Sequence, residues 1–474
     1  MKSIFAFIFL FLAASAAWAQ EPMKVDQDWL DKVAKLKPAE QAKAVGDKLQ
    51  ELNFKMPAAF TFVAADGEVS EFSFLGNGVR DITALAALKH LKKLSFAGTS
   101  SESGVDKARV EDLTPLKDLK LESLNMAWCK VKDLTPLKGM PLKTIDCTAC
   151  PGVATLKPLQ GMALEVVKVG QTSIAKLDPL KGAPLTELDI NTTKVEDLSP
   201  VKEAKLTSLL AYKTKVPHLR LLTGMPLTIL NVKETTVADL TPLKGMPLDL
   251  LDVERTQVRD LTPIKGSPIK ALNCNFTSVA TLAPLKGMDM NNLAFHGTPI
   301  KDLAPLKGMQ LTYLDIRRTK VLDLAPLKEM KMQGLWFDNT SIASIAPLKD
   351  HPLDRLDLTN TRVSDLTPIE SMPVTTLILT NTPVKSVAAL KGSKVTWLDL
   401  TGTAVSDLTP LKETKWRYLG FAKSSVVNYG VLRGMSIESV SCTIRNRTDL
   451  GTLKGVKGLL YINGKDATEQ LKGL

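Results

Sequence analysis

The apolar positions of the chain recur instead of scattering. A Pro-Leu pair or its equivalent returns at Pro115, Pro136, Pro158, Pro179 and Pro200, then at Pro242, Pro263, Pro284, Pro305, Pro326, Pro347, Pro368 and Pro410. The spacing is 21 residues, with one step of 22 between Pro136 and Pro158. Leu221, Ala389 and Val431 hold the register where proline is missing. Ala84 begins the series, Thr452 ends it, and an insertion from Ser100 to Arg109 separates the first unit from the second. Such a period marks a repeat architecture, here of about eighteen units.

One unit shows what the period builds. Take Leu185 as position one. Leu185, Leu188 and Ile190 open a short strand, and in Leu188-Asp189-Ile190 alternate residues face inward. Val195, Leu198 and Val201 carry the inward set through the return half. Ser or Thr, where it stands before the proline as Ser199 does, reads as a helix N-cap, with Pro at the first helical position. A glycine two residues after the Leu, as in Leu137-Lys138-Gly139, closes that turn. Each unit is therefore a strand, a corner and one tight 3-10-like turn. A single unit cannot bury its apolar face, but stacked units can.

The pattern LxxLxLxxTxVxDLxPLKGMP resembles the leucine-rich repeat, in its short internalin-like class, over roughly 390 of the 474 residues. It looks closest to planctomycete-type arrays of DLSPLKGMPL repeats, which are often attached to serine/threonine kinases. No glycine-rich loop, HRD or DFG accompanies it here. The resemblance implies an α/β repeat solenoid: a right-handed coil with short parallel strands on one face and 3-10 or irregular turns on the other. It also implies that the solenoid is used for binding. By strand spacing the array would run roughly 85 Å.

The ninth position departs from the common pattern, which has Asn there. It holds Thr193, Thr214, Thr235, Thr256, Thr277, Thr298, Thr319, Thr340, Thr361, Thr382 and Thr403. A buried hydroxyl must find a partner, and the neighbouring coil's backbone is the expected one. We read the column as a threonine ladder tying rung to rung.

The ends read as caps. Asp26 to Asn53 forms two helical segments, with Trp29, Val33 and Leu36 on one face and Val45, Leu49 and Leu52 on another. Phe60 to Phe74 alternates around Asp66-Gly67, a hairpin signal. At the far end a strand before Asn463-Gly464 and a short helix from Ala467 are expected. Before these, Met1-Lys2, the apolar run Ile4 to Ala14 and Ala17-Trp18-Ala19 read as a secretory signal cleaved before Gln20. The division is then residues 1–19 signal, 20–59 helical cap, 60–458 array and 459–474 C-terminal cap, in a protein secreted or periplasmic. No later apolar stretch is long enough to span a bilayer.

Composition adds little. The chain is 44% hydrophobic, 23% charged and 5% aromatic, which excludes wholesale disorder. Five cysteines are too few for a disulfide scaffold. Cys147-Thr-Ala-Cys150 is formally a CxxC, but the register turns both residues inward, so they read as buried thiols. Cys129 and Cys150 share a column roughly 5 Å apart by strand spacing, which an oxidising compartment would allow to bridge. His90, His218, His296 and His351 lack metal-type spacing. No nucleophile elbow, zinc-protease or phosphate-loop motif occurs. We expect no enzyme activity, no metal and no cofactor.

Two surfaces compete for function. On the strand face most units carry small or acidic residues. Against them stand Phe276, His296, Tyr313, Arg317, Arg318, Trp336 and Arg355, extended by Trp397 and Tyr418. Aromatics and Arg are hot-spot residues, so this patch is the expected site for a protein or glycan partner. The other surface is a lysine row at position eighteen, from Lys117 and Lys138 to Lys412 and Lys454. It would suit an anionic polymer of the cell envelope. An acidic column five residues earlier, including Asp133, Asp239 and Asp260, would cap the turn or offset the lysines. The net charge of +11 permits anion binding without requiring it, and export makes nucleic acid an improbable partner.

Overall fold

The computed structural model describes residues 25–54, 56, 59–99 and 108–472. The segment read as an export signal and most of the 100–109 insertion lie outside them. The chain forms two compact units, divided between Leu209 and Leu210.

The first unit opens with helices Gln27–Val33 and Pro38–Leu52. Asp26 caps the first through the Trp29 N–H, and Pro38 starts the second at the position where its missing N–H does no harm. Gln41, Ala42, Val45 and Leu49 are buried. Asn53, also buried, stitches this segment to the array. Its amide donates to Leu49 O at 2.8 Å and Asp81 O at 2.7 Å, and its Oδ1 accepts from the Arg80 and Asp81 N–H groups. The hairpin Phe60–Ala65/Glu68–Phe74 follows, antiparallel, with Asp66 and Gly67 both at positive φ as its tight turn requires. Parallel strands then add in order: Lys93–Ser95, Ser123–Asn125, Thr144–Asp146, Val166–Lys168 and Glu187–Asp189.

In the second unit, strands Ile229–Asn231, Leu250–Asp252, Ala271–Asn273, Asn292–Ala294, Tyr313–Asp315 and Gly334–Trp336 pair in sequence, all parallel. A further run joins Arg355–Asp357, Thr376–Ile378, Trp397–Asp399, Lys415–Gly420, Ser436–Ser441 and Tyr461–Ile462. Lys465–Asp466 closes it antiparallel through Asn463-Gly464, and helix Ala467–Gln470 follows. The ladder stops between Gly334–Trp336 and Arg355–Asp357. Corner bonds still cross that gap, from Asn339 N–H to Thr359 O at 2.7 Å and from Arg362 N–H to Ile342 O at 2.8 Å. In the coil between them Asp350 (φ +64°) and His351 replace the usual Gly-Met before proline. His351 is fully buried, with Nε2 3.2 Å from Leu327 O.

The coil of Leu248 shows the shared logic. Leu248, Leu251, Val253, Val258, Leu261 and Ile264 are buried, each favouring the folded state by about 1.5–3 kcal/mol before entropy is counted. The strand gives way to a corner at Arg255, in the left-handed region at φ +54°. The return half ends in the 3-10 turn Thr262–Ile264, and Gly266 at φ +76° turns the chain back. A side chain there would be strained, which is why glycine recurs in this column.

Two local readings are corrected by the structure. The threonines do not tie rung to rung. Each hydroxyl from Thr193 to Thr403 donates to the carbonyl three residues earlier in its own coil, as Thr193 to Ile190 O at 2.7 Å and Thr298 to Phe295 O at 2.7 Å. The chain folds back within three residues, so the coil's own carbonyl is closer than its neighbour's. A rung-to-rung side-chain bond does occur in this column at cysteine: Cys150 Sγ donates to Met126 O of the preceding coil at 3.2 Å. Second, the Ser or Thr before proline is not the cap. It is the first residue of the 3-10 turn, and the aspartate two positions before it accepts its N–H, as Asp260 does from Thr262 at 2.8 Å.

Thr298→Val should therefore lower the stability of the second unit by about 1 kcal/mol, the net worth of one such bond, read as a lower urea midpoint. The aspartates predict an acid limb. Hydrogen bonds from the Thr241 hydroxyl and then its N–H hold the Asp239 carboxyl below its ordinary range, and Thr262 and Thr367 do the same for Asp260 and Asp365. A carboxyl depressed in the folded state stabilises above its unfolded value of about 3.9, and that gain is lost as pH falls through the folded value. The urea midpoint should fall below about pH 4. The triple variant Asp239→Asn, Asp260→Asn, Asp365→Asn, which caps without titrating, should flatten that fall.

Candidate recognition surface

In the coils that begin at Leu248, Ile269, Met290, Leu311 and Met332, strand-face relief comes from side chains, because these coils share a three-residue strand and a left-handed corner. Positions three and five of each coil point outward along the strand; positions seven and eight follow at the corner. Between Leu250 and Tyr313 these columns hold small residues, Ala271 and Ala294, beside Asn273 and Asn292. The result is a depression of about 240 Å³, bounded by Leu250 and Asp252 at one end and by Tyr313 and Trp336 at the other.

The aromatic wall is held in place. The Tyr313 and Trp336 rings stack at 6.3 Å between centroids and 20° between planes. Tyr313 Oη donates to Gln333 Oε1 at 2.9 Å. Gly334 makes room for both rings: a Cβ there would lie 2.7 Å from an atom of each. Arg317 is spent on Asp315, with Nε to Oδ1 at 2.9 Å and Nη2 to Oδ2 at 2.6 Å.

A second cluster lies one coil before. Phe276 packs on His296 at 4.5 Å between centroids, and the Arg255 guanidinium sits 4.2 Å over the Phe276 ring. His296 Nε2 is buried without a hydrogen-bond partner among the described residues. Burial lowers the pKa of this imidazole, with nearby Asp315 opposing and Arg317 and Arg318 adding to the fall. Phe276 and Arg318 are corner residues at φ +53° and +52°, a conformation worth roughly 1–2 kcal/mol of strain for a non-glycine residue. Each is secured by its N–H, which bonds the next coil at His296 O and Asp338 O.

The nine patch residues thus divide. Phe276, His296, Tyr313, Arg317, Arg318 and Trp336 come from four consecutive coils. Tyr313, Arg318 and Trp336 are exposed, whereas Phe276, His296 and Arg317 are half-buried. Arg355 is exposed beyond the ladder interruption. Trp397 and Tyr418 form a separate stacked pair at 4.2 Å, further along. Sequence reasoning missed Leu250, Ala271, Ala294 and Arg255. The available signal was Ala271 and Ala294, one in each outward column, standing between Leu250 and the Tyr313–Trp336 pair.

All five cysteines are buried free thiols. Burial raises the Cys150 thiol to about 12, and nothing here activates it. Among the described residues no group of three or more His, Cys, Asp or Glu could hold a metal ion. No described helix is long and apolar enough to cross a membrane.

No family model matches the chain, and no curated protein matches it. Solved structures do. The leucine-rich-repeat ectodomain of the plant membrane receptor kinase GASSHO1/SCHENGEN3 from Arabidopsis thaliana, in complex with CASPARIAN STRIP INTEGRITY FACTOR 2, aligns with TM-score 0.60 at 13% identity. The alignment covers 85% of this chain and 60% of that one, so this chain spans less than two thirds of the receptor structure. The plant peptide hormone receptor RGFR1 in complex with RGF2 aligns with TM-score 0.52 at 12% identity, over 85% of this chain and 82% of that one. An internalin, InlF from Listeria monocytogenes, covers 85% of this chain and 95% of its own at 17% identity and TM-score 0.39. Identities this low bear on the fold alone.

The burial of His296 gives a direct check. Its imidazole should titrate by NMR below the ordinary 6.5. Phe276→Ala opens the ring to water and should move that midpoint back up towards 6.5.

Proposed function

We propose, from the premise that the chain is a leucine-rich-repeat protein, that it is a non-catalytic binding protein acting outside the cytoplasm. It recognises a macromolecule through the strand face of its second unit. One observation carries this reading: a recess walled by the stacked Tyr313 and Trp336 rings and lined between them and Leu250 by the small side chains Ala271 and Ala294. Aromatic anchors beside a pocket are what binding hot spots are made of. Several ionisable groups of the face are engaged in structural roles, Arg317 with Asp315 and Lys233 with Glu254, while Arg318 and Arg355 stand exposed. That favours recognition over chemistry. The export signal read at residues 1–19 supports the location. The two plant structures were solved with CASPARIAN STRIP INTEGRITY FACTOR 2 and RGF2 bound, which supports a protein partner by analogy of fold.

A second reading has its own observation. The capping aspartates are committed to their turns, whereas Lys244, Lys265, Lys286 and Lys307 stand exposed, one per coil, and form no ion pair among the described residues. This row suits an anionic envelope polymer, bound with strong salt dependence.

A pull-down from the native cell envelope separates the two. The bait is the mature protein, set beside a Tyr313→Ala/Trp336→Ala double variant. A partner held by the wild type and lost by the variant is the expected result. Equal capture by both, abolished at high salt, would transfer the function to the lysine row.

A further inference from the structure

Resting on that reading, we infer that the depression between Leu250 and Trp336 receives one bulky uncharged apolar side chain of a protein ligand, presented on an extended peptide segment. The partner is then a protein and not a glycan.

Size is the first argument. At about 240 Å³ the recess falls below the roughly 300–1,000 Å³ of small-molecule pockets. It is scaled to a side chain. Its walls are the second. Leu250, Tyr313 and Trp336 are 36%, 41% and 38% exposed, a high value for large apolar side chains, and the Ala271 and Ala294 methyls line the recess between them.

The polar lining decides between ligand classes. Asp315 is held in two places by Arg317. Asp252 accepts the Glu254 N–H at 3.0 Å. The Asn273 amide donates to Glu254 Oε2 at 3.0 Å while its oxygen accepts the Asn275 N–H at 3.1 Å. The Tyr313 hydroxyl donates to Gln333. A sugar offers a hydroxyl on nearly every carbon, and most of those buried against the mainly apolar wall of Leu250, Ala271, Ala294, Tyr313 and Trp336 would lose water without a partner in reach, the Asp252 and Asn292 oxygens being the acceptors left. An apolar side chain loses nothing by the same burial. Asn292, exposed at the rim, presents one amide donor set and one acceptor, which matches a peptide group. The recess stands on strands and its wall rings are fixed by stacking and by Gly334, so it is formed before any ligand arrives.

The test is selection of random twelve-residue peptides displayed on phage against the full mature chain, with a glycan array run alongside. Enriched peptides should share a bulky aliphatic or aromatic residue. Their affinity should fall at least tenfold for Ala294→Arg, which fills the recess from a partly exposed strand position and should leave the urea midpoint unchanged. Ala271→Leu, filling it without charge, should weaken the same peptides. Enrichment without an apolar consensus, no enrichment, or binding indifferent to both fillings would overturn the inference. So would glycans retained by the wild type and lost on filling. The strand-face reading fails separately. An envelope partner lost by Tyr313→Ala/Trp336→Ala but kept by Ala294→Arg leaves that reading standing and removes the recess.

Discussion

The fold rests on how each coil turns its first corner. After three strand residues the chain must leave the sheet, and the carbonyl at position six is left facing the interior. A buried carbonyl without a partner costs about 1–3 kcal/mol. The threonine three residues later supplies the partner, at 2.6–2.8 Å in coil after coil. To bring that hydroxyl back, the residue before it adopts the left-handed conformation, even where it is Arg255, Phe276 or Arg318. The strain is offset because the same residue's N–H bonds the next coil. One corner thus closes the coil, satisfies its interior and links it to its neighbour.

The candidate surface follows from that corner. Left-handed backbone at position eight throws its side chain outward beside the strand residues, which is how Phe276 comes to lie against His296 and beneath Arg255. Where the column holds Asn339, Asn360 and Asn381 the side chains instead hydrogen-bond in a row, Asn360 to Asn339 at 2.7 Å and Asn381 to Asn360 at 2.9 Å. Identical backbones leave only side-chain volume to shape the face. Two alanines make the recess, and one glycine lets Trp336 lean onto Tyr313.

Much of this was legible in the sequence, for a physical reason. A period of 21 forces every inward position to repeat, so the core, the parallel strands and the 3-10 turns could be read from Leu, Val and Pro alone. What a period does not reveal is the choice between two partners that are both near. The Thr298 hydroxyl could bond its own coil or the adjacent one, and only the tightness of the corner decides. The cap was misplaced by one role: Thr262 looks like an N-cap before Pro263, but the 3-10 turn starts on it and Asp260 does the capping. The left-handed column was hinted at only by Gly297, Gly402 and the three asparagines. Large residues drew attention to Tyr313 and Trp336, whereas the recess depends on the small ones between.

The electrostatics of the face set the manner of recognition. Charges near the recess are paired within one coil or with the next, as Asp315 with Arg317 and Glu254 with Lys233 and Arg255. Burial raises the Asp252 carboxyl, so even this unpaired acid is less prone to ionise than a surface one. A face with much of its charge paired projects a reduced field, and steering over a Debye length of about 8 Å contributes less to encounter. On the binding reading proposed above, selectivity then comes mainly at contact, from shape and apolar burial, and lies mainly in the dissociation rate. The lysine row is built on the opposite principle, one exposed cation per coil with its nearby carboxylates tied into turns. The same repeat therefore displays two surfaces of unlike electrostatics: a strand face with much of its charge paired and an edge with one exposed lysine per coil.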